Sequence, residues 1–265
     1  MKIEHQSAAG RTTALLFLLL FLAVAPLAGN ARDYYAIKIY RFKEQSQVER
    51  VEKFLKEAYL PALHRAGIST VGVFKPIEGD TVAGLSVFVW IPLKSLAQFE
   101  GLAQKLEKDL QFRAAGATYL EAAHNQPPYS RIETILLKSF QDMPQFKIPH
   151  HQTPPAERIY ELRSYEGPTE KLFQKKVEMF NAGGEIKLFE KLDFNAVFYA
   201  EVIAGSTMPN LMYLTTFADP KTHADRWNTF RNHPEWKELS AMEKYKNTVS
   251  RSVKYLLHPT DYSDF

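Results

Sequence analysis

The chain contains no cysteine among its 265 residues. It therefore cannot form disulfide bonds, thiolate metal sites or a cysteine nucleophile, and it cannot be lipidated through an N-terminal cysteine. Aromatic residues are plentiful, because 18 Phe, 13 Tyr and 3 Trp make up 13% of the chain. A protein of this composition has to be held together by its hydrophobic core, and its aromatic side chains can also line a binding pocket.

Long apolar runs are scarce, and one lies near the N-terminus. The apolar run at residues 14–25 follows Arg11 and precedes the small residues Ala28 and Ala31. It is too short to cross a bilayer comfortably, and the pattern is typical of a secretory signal peptide. We predict that residues 1–31 are a signal peptide cleaved after Ala31, so that the protein is exported to the periplasm or secreted. Cleavage after Ala28 and an uncleaved membrane anchor are the alternatives.

Charge of either sign is nearly balanced, with a formal net charge of only +3. This balance gives no reason to expect nucleic acid or an acidic membrane as a partner. No later segment is apolar enough to cross a membrane, so we expect no stable membrane insertion after signal cleavage. The sequence also has no Gly-rich phosphate loop, no G-x-S-x-G elbow and no nucleotide-binding fingerprint.

The histidines are scattered, and no two of them lie four residues apart as they would on one helix face. His150 and His151 are adjacent, but their side chains point apart in an irregular or strand-like segment. We therefore predict no metal site and no cofactor, apart from the haem alternative described below.

A Pro-rich stretch divides the chain. Residues 141–157 contain four prolines and show neither helical nor strand periodicity. We interpret this stretch as a linker between a first module at 32–140 and a second module at 158–265.

The two modules begin alike. Alternating segments at 35–42 and 158–165 predict a strand at the start of each module, with Ile37 corresponding to Tyr160 and Ile39 to Leu162. Apolar residues at helical spacing follow in both modules, and Pro61 should kink the first of these helices.

The later strands repeat as well. The second and third strands of the first module align with those of the second module at a constant offset of 126 residues. The last strand of each module opens with a Ser-Arg pair, and a Leu-Leu pair follows six residues later. A helical stretch lies between the third and last strands, at 96–108 and at 223–245. The aligned pairs are Val71 with Val197, Gly79 with Gly205, Leu85 with Leu211, and Ser130-Arg131 with Ser250-Arg251.

Each module thus has the order strand, helix, strand, strand, helix, strand, which is that of a ferredoxin-like α+β unit. Such a unit covers one face of its sheet with helices and leaves the other face bare. We therefore predict two tandem modules whose sheets pack together into a barrel-like core wrapped by helices. Two separate domains joined by the linker are the alternative.

The second module resembles the NIPSNAP family almost continuously from 158 to 265. This resemblance implies a dimeric α+β-barrel fold, here within one chain, in a superfamily that includes small monooxygenases, some of them haem-degrading, as well as isomerases and binding proteins. The motifs that carry it are Met179-Phe180-Asn181 with Gly183-Gly184-Glu185, Phe198-Tyr199-Ala200-Glu201, the run 209–217, Trp227 with Phe230, His233-Pro234 with Trp236-Lys237, and Tyr245 with 247–250.

Two of these motifs contain candidate polar groups. Glu201 shares a strand face with Tyr199, and inside an apolar cavity its raised pKa would suit a general acid or base. A structural ion pair between Glu201 and Arg163 is the alternative. The glycines beside Asn181 and Glu185 end a helix, and their exposed amides could hold an anion, although a simple chain reversal also explains them.

Aromatic residues of the second module provide the walls of a predicted pocket, or else fill the barrel core without leaving a void. Glu201 is the candidate catalytic residue. The candidate ligand-binding residues are Tyr160, Arg163, Asn181, Glu185, Tyr199, Glu201, Tyr213, Trp227, Phe230 and Tyr245.

Three functional classes follow from these observations. The leading hypothesis is an exported protein that binds a small molecule in an aromatic-lined cavity of the second module. The first alternative is an oxygenase or isomerase, whose haem-degrading version would need His223 to face the cavity. The second alternative is a protein-interaction scaffold, and the sequence allows a monomer or a homodimer.

Overall fold

The computed structural model describes residues 31–77 and 85–265. The predicted signal peptide, apart from Ala31, and Gly79 lie outside these ranges. Within the described ranges, no helix is long and apolar enough to cross a membrane.

The described residues of the first half form four strands and five α-helices. Strand β1 spans Tyr34–Arg41 and is followed by helix α1 at Gln45–Phe54, a π-helical segment at Leu55–Tyr59 and helix α2 at Leu60–Arg65. Strands β2 and β3 span Gly72–Pro76 and Ser86–Leu93. Helices α3 at Leu96–Lys108, α4 at Leu110–Ala115 and α5 at Ala117–Leu120 then lead to strand β4 at Arg131–Ser139.

The second half repeats this order. Strand β5 at Ile159–Glu166 precedes helices α6 at Glu170–Phe180 and α7 at Glu185–Lys191, and strands β6 and β7 span Ala196–Ala204 and Asn210–Phe217. Helices α8 at Pro220–Asn232 and α9 at Pro234–Ala241 precede strand β8 at Arg251–Pro259. Short 3₁₀ turns lie at Pro155–Glu157 and Glu243–Tyr245.

The eight strands close into one barrel in the order β1-β3-β2-β8-β5-β7-β6-β4. The two halves join where β2 pairs with β8 and where β4 pairs with β6, both antiparallel. This arrangement confirms the predicted pairing of two ferredoxin-like sheets, and it rules out the alternative of two separate domains. Closure gives every strand two hydrogen-bonded neighbours, which leaves the barrel without a free edge.

The barrel interior is packed with large apolar side chains from both halves. Tyr35, Ile37, Trp90, Tyr160 and Phe198 are among its buried members, and a cavity between Ile37, Phe88 and Leu214 has a volume of only about 10 Å³. Burial of each such side chain contributes roughly 1.5–3 kcal/mol. The interior therefore stabilises the fold and offers no room for a ligand.

The pairing registers confirm one part of the predicted duplication. Ile37 pairs with Trp90, and the corresponding Tyr160 pairs with Thr216, so β3 and β7 keep the offset of 126. The repeated serines also behave alike, because the backbone N–H and the hydroxyl of Ser130 donate to Arg41, and those of Ser250 donate to Glu166.

The predicted alignment of the second strands is wrong. Phe88 of β3 and Leu214 of β7 are 126 residues apart in the sequence. Their partners in the second strands, Phe74 of β2 and Phe198 of β6, are only 124 residues apart. A register shift between Ala196 and Phe198 accompanies this difference. Val71 also precedes β2 instead of lying within it.

The predicted kink at Pro61 appears as a local change of helix type. The five residues of the π-helical segment lie directly before α2, whose first turn contains Pro61. A proline ring crowds the carbonyl of the fourth residue before it, which is Glu57 in the middle of this segment. The wider turn thus accommodates a proline inside an otherwise continuous helical stretch.

The predicted linker at 141–157 runs along the barrel. The ring of Phe146 contacts Trp90 edge-on at 5.1 Å, and the backbone N–H of Lys147 donates to Val197. The hydroxyl of Thr153 donates to the carbonyl of Ala218. The stretch is irregular apart from one 3₁₀ turn, as its prolines predict.

Candidate functional site

Each half has a space between the outer face of its sheet and its covering helices. Outward side chains of β1 and β5 face these spaces, because alternate residues of a strand point to opposite sides. The registers place Lys38 of β1 at the position that Glu161 holds in β5, and Tyr40 at the position of Arg163. The two spaces can therefore be compared residue by residue.

The space in the second half is filled by aromatic side chains. Phe189 stacks on Phe230 at 4.7 Å, and Phe194 meets Trp227 edge-on at 4.8 Å. The predicted pocket residues Tyr199, Tyr213, Trp227 and Phe230 do come together here, and all are buried. They pack against one another, so these four side chains do not together line an open pocket, and Tyr199 also borders the smaller cavity described below.

A buried ionic network holds helix α8 to this face of the sheet. The Glu161 carboxylate is fully buried and accepts hydrogen bonds from Arg163 at 2.8 Å, from the Trp227 indole, and from His223 at 2.8 Å. The Arg163 guanidinium also lies 3.8 Å above the Trp227 ring. Burial opposes ionisation of Glu161, but His223 and Arg163 outweigh it and hold the pKa of its carboxyl below the usual value.

A second buried pair lies under helix α6. The Lys176 ammonium donates to Glu185 at 2.8 Å, and both side chains are almost fully buried. Burial raises the pKa of Glu185, and Lys176 opposes that rise. Arg163 donates to the Tyr165 hydroxyl at 3.0 Å, which in turn lies 2.9 Å from the Tyr213 hydroxyl. These charged and phenolic groups are thus used in binding one another.

Three other predicted site residues lie outside this cluster. Tyr160 points into the barrel interior. Both polar groups of the Asn181 side chain are hydrogen bonded, one to the carbonyl of Val177 and the other to the backbone of Asp142. Tyr245 packs on Met179 and donates to Glu178 at 3.3 Å.

The glycines beside Asn181 make a chain reversal between α6 and α7. A Cβ at Gly183 would approach the Met179 carbonyl to 2.5 Å and the Tyr245 hydroxyl to 2.9 Å, so only glycine fits there. Gly184 has a φ of 90° and precedes the first turn of α7. Because Glu185 itself is buried against Lys176, the structural explanation of this motif holds.

The structure agrees with neither of the two predictions for Glu201, which were a general acid or base in an apolar cavity and an ion pair with Arg163. Glu201 shares the outward face of β6 with Tyr199, but it lies half-buried at the surface and binds Arg32 at 2.9 Å. Its predicted partner Arg163 binds Glu161 instead. Glu201 therefore lies outside the apolar space that a general acid or base would need.

His223 does not meet the requirement of the haem alternative. Its Nε2 lies 2.8 Å from Glu161, and its ring contacts Phe217 edge-on at 4.9 Å, within the filled cluster. Across residues 31–77 and 85–265, no group of three or more His, Asp or Glu side chains could hold a metal ion.

The corresponding space in the first half is open. A cavity of about 590 Å³ lies between the outer face of β1 and β3 and the helices of this half. This volume is typical of small-molecule sites. Its walls are mostly apolar and aromatic, and they include Ala36, Tyr40, Phe54, Tyr59, Ile91, Phe99, Leu102, Phe112 and Tyr119.

Lys38 is the basic side chain on the sheet side of this cavity. Its ammonium lies 5.2 Å from the Tyr59 ring centroid and 5.8 Å from that of Tyr40. Within the described ranges, no carboxylate lies at ion-pairing distance from it and no group accepts a hydrogen bond from it. Burial lowers the pKa of the Lys38 amine below its usual value.

The helices that wall the cavity are built around aromatic contacts. Phe54 stacks on Tyr119 at 3.7 Å and meets Phe112 edge-on at 5.8 Å. Tyr59 belongs to the π-helical segment, and π-type turns inside helices are frequent at functional sites. The sequence pattern of apolar residues predicted the helix but not this turn, which orients Tyr59 toward Lys38.

One alanine marks a difference between the open space and the filled one. Ser95 and Asp219 cap helices α3 and α8, and each accepts a hydrogen bond from the backbone N–H three residues later. Ala103 follows the cap of α3 at the same spacing at which Trp227 follows the cap of α8, so the two residues hold equivalent positions. Ala103 lines the cavity. A methyl group therefore stands in the first half where an indole fills the second.

A smaller cavity of about 300 Å³ touches one predicted residue. It lies between the 142–150 stretch and the β6 and α7 region, and its lining includes Tyr199, Ile186, Lys147 and His150.

Taken together, these features define the chain as a dimeric α+β-barrel whose two sheets belong to one polypeptide, with one helix-covered space filled and the other open. Residues 160–264 match the NIPSNAP family model, so the second half is similar to the NIPSNAP family. The first half, which contains the cavity, lies outside that match.

Solved structures share the whole architecture at low sequence identity. A candidate monooxygenase from Lactobacillus acidophilus is 9% identical with a TM-score of 0.54, and the match covers 86% of this chain and 94% of that one. A candidate monooxygenase from Fusobacterium nucleatum has the same identity and TM-score, with 87% and 93% covered. An anthrone oxidase-like protein is 9% identical with a TM-score of 0.52, with 88% and 93% covered. A comparison with curated proteins found no match.

Proposed function

We propose that this protein binds a small, mainly apolar organic molecule in the cavity of its first half. The observation that supports this proposal is the cavity of about 590 Å³ beside Lys38, which is lined by aromatic rings. The corresponding space of the second half is filled by aromatic side chains. Such a space with few polar groups is the usual composition of a small-molecule site. The proposal keeps the predicted kind of function and moves its place from the second half to the first.

Native mass spectrometry of the protein purified from its own source tests this proposal. We expect a retained small molecule that is released on denaturation and can be identified. The Ala103→Trp variant supplies the matched control, because the added indole should occupy the cavity and abolish retention. Equal retention by both proteins would place the ligand elsewhere and contradict the proposal.

A second candidate function is oxygen-dependent chemistry in the same cavity. Lys38 favours it, because an amine with a lowered pKa can remove a proton from a weakly acidic substrate. Three proteins of this fold carry names of monooxygenases or of an anthrone oxidase-like protein. For anthrone, proton loss to the amine gives a carbanion that O₂ oxidises, and anthrone plus O₂ yields anthraquinone plus water.

An oxygen electrode tests this second candidate with anthrone as substrate. Wild-type protein should accelerate oxygen uptake over the buffer rate, and Lys38→Met should lose that acceleration. A wild-type rate equal to the buffer rate removes anthrone oxidation and leaves ligand binding as the function.

Export is the remaining part of the proposal. The apolar run at 14–25 and the small residues that follow it support a cleaved signal peptide. N-terminal sequencing of the protein from a periplasmic or culture fraction should begin at Arg32. An N-terminus at residue 1 in the membrane fraction would instead indicate an uncleaved anchor.

A further inference from the structure

The unpaired state of Lys38 indicates what kind of molecule fits the cavity. Lys38 is half-buried, and within residues 31–77 and 85–265 no carboxylate pairs with its ammonium. Glu161, at the corresponding position of the second half, receives hydrogen bonds from three side chains. Among the residues that the structure describes, the Lys38 ammonium faces the rings of Tyr40 and Tyr59 and has no carboxylate partner.

The groups around Lys38 do not supply the missing negative charge. The nearby hydroxyls of Tyr40 and Tyr59 stay protonated, because burial raises their pKa values. Glu100, Glu107 and Arg113 also line the cavity, but all three are exposed to solvent and none lies at ion-pairing distance from the lysine. A negative charge at the ammonium would therefore have to come from the bound molecule.

We infer that the occupant is a monocarboxylic acid with an apolar body, whose carboxylate binds the Lys38 ammonium while the body packs on the surrounding rings. The inference rests on the proposed function and adds the chemical class of the ligand. If the molecule enters as the undissociated acid, its proton passes to the lysine amine. If it enters as the anion, an ammonium already charged from solvent receives it.

The physical reason is that the ammonium and the carboxylate each offset the desolvation cost of the other. An isolated ammonium in an apolar cavity is costly, and so is an isolated carboxylate. Bound together, they form a charge-assisted hydrogen bond, which is stronger than one between neutral groups. The same site gives no such gain to a neutral molecule of equal shape.

Isothermal titration calorimetry with matched probes tests this inference on the purified full chain. The probes are 2-naphthoate with 2-naphthamide, and octanoate with octanamide, because each pair differs mainly in the charge of its head group. Wild-type protein should bind the acid of at least one pair about tenfold or more tightly than the amide.

Three variants isolate the role of the lysine. Lys38→Met should bind acid and amide of a pair equally, whereas Lys38→Arg, which keeps the charge, should retain the preference for the acid. Lys105→Met removes one positive charge from α3 without altering the cavity lining, and it should behave as wild type. Thermal unfolding of each variant verifies that it is folded.

The outcomes separate the two claims. If neither member of either pair binds wild-type protein, the proposed function itself fails. If acid and amide bind wild-type protein equally, ligand binding stands and the carboxylate inference is overturned. A preference for the acid that persists in Lys38→Met also overturns the carboxylate inference, because a group other than Lys38 would then bind the carboxylate.

Discussion

The two halves of the molecule share one chain order and one sheet geometry, yet they use the space under their helices in opposite ways. In the second half, Trp227 and its aromatic neighbours fill the space, and Glu161 is neutralised by hydrogen-bonded partners. In the first half, Ala103 lines a cavity, and among the described residues the Lys38 ammonium faces aromatic rings with no carboxylate partner. The comparison teaches that two halves with the same order of elements can fill the space under their helices to very different extents.

The energetic contrast follows from this difference. Each well-packed aromatic ring adds burial and edge or stacking contacts to the second half. An open cavity forfeits such contacts, and a desolvated lysine adds a further cost. We therefore expect the largest destabilising effects from substitutions in the filled half, and stabilising effects from filling or neutralising the open one.

The strongest test of the filled half is Trp227→Ala. It removes the indole that packs on Phe194 and Phe230 and that donates to Glu161. We expect a loss of about 3–5 kcal/mol in the free energy of unfolding, measured by urea denaturation. Trp236→Ala, at the edge of the same cluster, is the control and should cost less. A loss below about 1 kcal/mol for Trp227→Ala would show that the cluster is not tightly packed.

Glu161→Gln tests the ionic network. It leaves the mostly buried Arg163 without its carboxylate, and we expect a loss of about 3 kcal/mol at neutral pH. Glu201→Gln, which breaks the half-exposed pair with Arg32, should cost at most about 1 kcal/mol.

The pH dependence of the Glu161→Gln effect has a definite sign. The folded-state pKa of Glu161 is lowered, so its contribution is fully present above the pKa of an unfolded glutamate and is lost as pH falls through the lowered value. The difference between wild type and Glu161→Gln should therefore shrink in acid. A difference that grows in acid would contradict the assigned protonation state.

Ala103→Trp converts the open half toward the filled one. The indole should occupy the cavity and weaken binding of the naphthyl and octyl probes by about tenfold or more. Ala97→Trp, on the same helix but outside the cavity lining, is the matched control and should bind as wild type. Unchanged binding by Ala103→Trp would remove the cavity as the site.

Lys38→Met should have the smallest effect, and in the stabilising direction. We expect a rise in melting temperature of about 2–4 °C at neutral pH, which corresponds to about 1 kcal/mol for a chain of this size. The folded-state pKa of Lys38 is lowered, so wild-type stability should rise with pH between that value and the pKa of an unfolded lysine. The advantage of Lys38→Met should accordingly be greatest at lower pH, and a pH-independent difference would contradict this account.

Much of the fold could be predicted from the sequence, because it depends on local patterns that repeat. The alternation in β1 and β5, the helical spacing of apolar residues and the repeated Ser-Arg pairs predicted both modules and their closure. The alignment of Val71 with Val197 failed, because a shift of register between Ala196 and Phe198 leaves no signal in apolar residue spacing.

The candidate site was harder to predict. Family-like motifs drew attention to the second half, where Tyr199, Tyr213, Trp227 and Phe230 do converge but fill their own space. A usable signal was present in β1, since alternation places Lys38 on the helix-covered face of a central strand. Without the comparison with Glu161, that lysine resembles any solvent-facing strand residue.

By itself, the sequence determined the two modules, the inward faces of their strands and the capped helices that cover them, because these properties arise from neighbours along the chain. Only the tertiary structure decided which helix-covered space is filled. That outcome depends on the summed volume of side chains from several separate elements, and Ala103 in place of Trp227 is one of the differences between the two halves. Tertiary packing likewise decided that Glu161 meets three hydrogen-bonding side chains, whereas Lys38, within the described part of the chain, meets two aromatic rings and no carboxylate.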